Sequence, residues 1–162
     1  MVQPSESDPV RVDEQLRFLN IVCIALVIGV AALAAVAWGI ANGPGANGPV
    51  GPPLPDAVAF LGGAVGLALL VAAPIVHRKM LQNAGRVSRD DERVVGALET
   101  YRLATMLAFI LREGAAVVGL MLTLLTNEPA WCYGLGVLAL VAMFWGWPRR
   151  DEITGILQPS AA

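Results

Sequence analysis

From Phe18 to Ala41 the chain runs 24 residues without a charge. A helix needs roughly 20 mostly apolar residues to cross about 30 Å of hydrocarbon, so this run constrains the fold more than any other feature. Three further stretches meet or approach the same length. Ala57 to Val76 is uncharged, Leu103 to Thr126 is broken only by Arg112 and Glu113, and Ala130 to Trp147 is uncharged and bounded by Trp131 and Trp147. Tryptophan at both edges suits the aromatic belt of a membrane span. Composition agrees: charged residues make up 15% of the chain, against about 25% in soluble domains, and the mean hydropathy is +0.64. A disordered chain is excluded, and a water-soluble globule is disfavoured. The net charge of −2 offers no basic stripe for nucleic acid, and one His with two Cys leaves little material for a metal centre. No metal or cofactor is therefore expected.

The expected fold is an all-α membrane protein. Four transmembrane helices over 18–41, 57–76, 103–126 and 130–147 form two hairpins between a tail at 1–17 and a tail at 148–162. The first span is too long for the apolar core of a signal peptide, about 7–15 residues, and the acids before it give the wrong sign for one, so it reads as a retained helix. No lipidation motif is present. Orientation follows from Lys and Arg. Ten of the eleven cations fall in the two tails and the middle loop, His77 to Arg102, while the loops 42–56 and 127–129 have none. The positive-inside rule makes the cation-bearing side the cytoplasm, with both termini inside a bacterial inner membrane.

Loop chemistry refines this. The segment Asn42 to Pro55, rich in Gly and Pro and uncharged, reads as an extended outer connector. Ser88 is a good N-cap with Asp90, Asp91 and Glu92 following it. Nothing from there to Thr126 breaks a helix, which predicts a third helix of ~39 residues whose first third projects into the cytoplasm. Pro148 is expected to end the fourth.

Shifting the first span by 85 residues lays Arg17 on Arg102, Gly29 on Gly114 and Asn42 on Asn127, an echo suggestive of a duplicated hairpin. The copies differ where the first has Val27 and Ile28 and the second has Arg112 and Glu113. Glu113 lies 11 residues beyond Arg102, ~16 Å along the helix and near the bilayer middle. A charge there costs about 2.5–3.5 kcal/mol. Adjacent residues point about 100° apart, so this buried charge pair needs partners from other helices, or in the case of Glu113 a proton. Glu113 is accordingly a candidate ion or proton site, and a buried charge that fixes helix register is the competing role. Small residues supply the second signal. Gly62 and Gly66 form a GxxxG, Gly29 and Gly119 lie four residues from Ala25 and Ala115, and Gly114 adjoins the charges. Such spacing lets helices approach closely, within one bundle or between copies in a homo-oligomer. Cys23 and Cys132 sit at opposite depths and cannot bridge. His77, the single histidine, stands at the cytoplasmic mouth with no partner motif. No catalytic motif is present.

Tyr101-Arg102-Leu103-Ala104-Thr105, Arg112-Glu113-Gly114-Ala115, Leu124-Leu125-Thr126-Asn127 and Trp147-Pro148-Arg149-Arg150-Asp151-Glu152-Ile153 together resemble a family of uncharacterised bacterial four-span membrane proteins. That resemblance implies a fold without an activity. This chain differs in carrying Arg112 where those proteins are apolar. A second likeness is to the c subunit of rotary ATPases: Glu113-Gly114-Ala115-Ala116-Val117-Val118-Gly119-Leu120 is similar to its ion-carrying helix, which implies that Glu113 would hold the ion. Two functions are thus expected. One is a non-enzymatic inner-membrane protein with a structural or accessory role, whose partners are the lipid bilayer and a second copy of the chain. The alternative is an ion- or proton-binding protein using Glu113.

Overall fold

The computed structural model describes residues 8–43, 55–84 and 92–152. The connector at 44–54, the Ser88 cap and the outermost parts of both tails lie outside these residues. Within them the order is α1 (Asp8–Asn42), α2 (Asp56–Ala84), α3 (Glu92–Thr126) and α4 (Ala130–Trp145), and the chain is helical with no strand among the described residues. Three helices are long and apolar enough to cross a membrane; α4 is the shorter fourth. The two ends of the molecule differ in chemistry. Asp13, Asn20, His77, Tyr101, Trp147 and Glu152 gather at what we term the polar end, while Phe60, Leu122 and Trp131 meet at the opposite one.

The central element is α3, which packs against all three other helices. Its partner in sequence, α4, lies antiparallel across a tight turn to whose backbone hydrogen bonds two threonine side chains add their own. Thr123 Oγ1 donates to the Glu128 carbonyl and accepts from the Cys132 N–H, each at 3.1 Å, and Thr126 Oγ1 accepts from the Glu128 N–H. Asn127 closes α3 at φ 58°, the left-handed conformation that Asn tolerates better than most side chains. By contrast, α1 and α2 make almost no contact with each other. The first pair expected as a hairpin is splayed, one helix on each side of α3.

Helix lengths depart from the apolar runs in both directions. α1 begins ten residues before Phe18, and α2 continues to Ala84, past Val76. Three helices rather than α3 alone therefore project beyond their apolar segments at the polar end. There Leu19, Leu98 and Tyr101 make a second small core with Leu16, Leu81 and Met106, separate from the main one of Cys23, Val30, Phe109, Ala116, Ala139 and Met143. α4 falls short instead. It stops at Trp145, 16 residues and ~24 Å long, before the expected end at Trp147. Pro148 disfavours helical geometry at the residue before it, and Gly146 takes up the C-cap with φ −94° and ψ 25°.

Candidate functional site

One face of α3 carries Thr105, Ala108, Phe109 and Arg112, spaced i, i+3, i+4 and i+7 so that they form a stripe. Over this stripe α2 and α4 leave a crevice of about 390 Å³, which His77 and Glu152 line towards the polar end and Arg112 and Gly146 line at depth. The ~10 Å between Thr105 and Arg112 along α3 measures its reach. Pro74 stands in the α2 wall. Having no N–H, it leaves the Leu70 carbonyl without its helical donor, and Leu70 also lines the crevice.

Arg112 is 93% buried, its relative exposure being 7%. Its Nε and Nη1 find no hydrogen-bond partner. Two features make room for the guanidinium. Its Cζ lies 5.3 Å from the centre of the Phe109 ring, within range of a cation–π attraction. It also rests on Gly146, where a Cβ atom would come within 2.8 Å of Cζ. Gly146 is the C-cap of α4, so the cation sits at the negative end of that helix dipole. Neither contact supplies the acceptors that a buried charge requires.

Glu113 points elsewhere. Its Oε1 is 3.0 Å from where a Cβ of Gly29 would stand, which places the half-buried carboxyl in the seam between α3 and α1. The two adjacent charges thus address different helices, as their angular separation requires, and among the described residues no ion pair joins them. The packing glycines do their work inside the chain. A Cβ at Gly62 would meet Leu122 at 2.7 Å, one at Gly66 would meet Leu135 at 2.8 Å, and one at Gly119 would meet the Trp131 carbonyl at 2.8 Å. Gly114 has only an ordinary contact with Leu69 at 3.5 Å. Cys23 and Cys132 are free and buried.

At the mouth, a polar cluster ties three elements together. The Tyr101 hydroxyl donates to Glu152 Oε2 at 3.1 Å, His77 Nε2 lies 3.5 Å from Thr105 Oγ1, and the His77 and Tyr101 rings meet edge to face at 6.1 Å. Alongside, Trp147 Nε1 donates to Asn20 Oδ1 at 3.1 Å. Sequence reasoning singled out Arg112 and Glu113 but not this cluster or Gly146. The stripe that leads from Tyr101 through Thr105 to Arg112 at helical spacing was the available signal. Comparison of the chain with protein families, with characterised proteins and with solved structures finds no match.

Proposed function

We propose that the chain is a non-enzymatic integral protein of a bacterial inner membrane, with four spans, both termini in the cytoplasm and an accessory role in that membrane. The observation that carries this reading is the distribution of unpartnered apolar side chains. Ile21, Ile28, Phe60, Leu61, Val71 and Met121 are each at least 60% exposed, spread over three long helices, and lipid is the solvent that such surfaces suit. The cations of the described residues add direction. Of the cations whose side chains are described, all except the buried Arg112 (Arg17, Arg78, Lys79, Arg102, Arg149 and Arg150) belong to the polar end, which is the cytoplasmic end in this proposal. Arg102 holds its guanidinium 4.2 Å over the Phe18 ring, an arrangement suited to the headgroup boundary. Self-association belongs to the proposal on a face other than Gly62 and Gly66, whose neighbours lie within the chain.

The test is extraction and topology together. The full chain should stay with membranes through alkaline carbonate. A fluorescent protein fused to the C-terminus should fluoresce, and alkaline phosphatase fused there should be inactive. Release by carbonate, or an active phosphatase at that terminus, overturns the proposal.

A second reading, ion or proton binding at Glu113, draws support from the carboxyl lying in the α1–α3 seam against a residue without a side chain. Carbodiimides modify neutral carboxyls in apolar sites. Rapid modification confined to Glu113 and abolished in Glu113→Gln supports this reading, and absence of labelling at every pH removes it.

A further inference from the structure

We propose that the crevice between α2, α3 and α4 is a binding site for a phosphate-bearing ligand, gripped at its inner end by Arg112. The argument begins with the cost of that side chain. A guanidinium stays charged at any physiological pH, and a buried charge needs acceptors. Here Nε and Nη1 have none and are closed to solvent, while the side chain as a whole lines the crevice, so a ligand would meet the guanidinium from the crevice side and draw it out of its orphaned state. The fork of N–H donors on Arg matches the oxygens of a phosphate group. Gly146 lets the guanidinium pack against the end of α4, since a side chain at that position would overlap it.

Charge around the crevice favours an anion. Arg112 and Arg78 line it with two positive charges against the single negative charge of Glu152, and that carboxylate already accepts from the Tyr101 hydroxyl. His77 and Thr105 supply neutral polar groups on the way in. Size adds to the argument. About 390 Å³ is many times the ~30 Å³ share of a water molecule and falls within the range of small-ligand pockets. The ligand therefore has room for an organic part next to its phosphate. Leu70, Pro74, Phe109 and Trp145 offer that part apolar walls. Two sources carry this chemistry, the headgroup of a membrane phospholipid and a free phosphate or phosphate ester.

The experiment uses the full chain purified in mild detergent and in nanodiscs, with thermal unfolding as the readout. Inorganic phosphate is the first probe, compared with chloride at matched ionic strength. Nanodiscs of phosphatidylglycerol are the second, compared with nanodiscs of a galactolipid that has no phosphate. A rise in the wild-type midpoint of about 3 °C with inorganic phosphate identifies the free anion as a source. A rise confined to phosphatidylglycerol identifies the lipid headgroup. In either arm the increment should vanish in Arg112→Met, which removes the fork, and in Ala142→Leu, which narrows the crevice while keeping the arginine in the chain. If Arg112→Met fails to fold, Ala142→Leu decides the matter. A wild type that responds to neither probe, or an increment that survives in either variant, overturns the proposal.

Discussion

Arg112 spends stability at the position where the structure offers it least in return. Its aliphatic stem is packed in the core, its cation stands at the end of a helix, and two of its nitrogens lack acceptors. Replacing a buried charge by an apolar side chain of similar volume is often neutral or stabilising, by about 1–4 kcal/mol. Arg112→Met should accordingly unfold at a higher temperature than the wild type when both are freed of phosphate and phospholipid. A midpoint lowered by several degrees would mean that the guanidinium makes stabilising contacts after all. Glu113→Ile should act independently of it, because one side chain faces Gly146 and the other Gly29. A double-mutant cycle should return a coupling well below the ~3 kcal/mol upper end seen for residues in direct contact. A large coupling would show that the two charges are satisfied together.

At the level of the helices, glycine chemistry separates close contact from mere tolerance. Gly119 brings α3 against the backbone of α4: a methyl group there would lie 2.8 Å from the Trp131 carbonyl oxygen and 3.1 Å from Cys132 Cα. Main chain cannot swing aside as a side chain does, so Gly119→Ala should cost about 1–3 kcal/mol. Gly39 has nothing within 4 Å, and Gly39→Ala should gain about 0.5–1 kcal/mol from reduced backbone entropy in the unfolded chain. Thermal midpoints of the two variants should move in opposite directions, and equal shifts would contradict the packing described. How far such elements could be read in advance depended on their chemistry. The apolar runs announced each helix, and the absence of breakers between Glu92 and Thr126 announced α3 as one piece. The extensions of α1 and α2 went unread because those runs end at charged residues, and charge marks the edge of a membrane span without marking the end of a helix. The crevice was illegible for a different reason. It arises from the early stop of α4 at Gly146 and from the separation between α2 and α4, distances that no single segment encodes.

For the molecule as a whole, the polar end is a place where separate parts of the chain are fastened to one another. The last described residues are held to α3 by the Tyr101–Glu152 hydrogen bond and reach α1 through Arg150 and Asp13, 3.5 Å apart and largely exposed. Exposed pairs of that kind contribute little, and of these two ties the Tyr101 hydroxyl is the less exposed. Tyr101→Phe should loosen the segment after Pro148, at a cost of about 1 kcal/mol, while α3 and α4 keep their packing. Hydrogen exchange should then quicken at 149–152 and stay unchanged at 130–145. Unchanged exchange at 149–152 would show that other contacts hold the segment.

The brevity of α4 has a consequence for where such a protein resides. Three sides of the molecule present apolar helices of ample length, and the fourth presents only 16 residues, ~24 Å against a hydrocarbon layer of ~30 Å. With α4 as the fourth span proposed above, the lipid on that side would thin or its headgroups would dip inwards, at a fraction of a kcal/mol per ångström of mismatch. Membrane thickness thereby becomes a variable to which this fold is sensitive on one flank and indifferent on the others. Lipids with shorter chains should collect beside α4, and the protein should partition towards the thinner regions of a heterogeneous membrane.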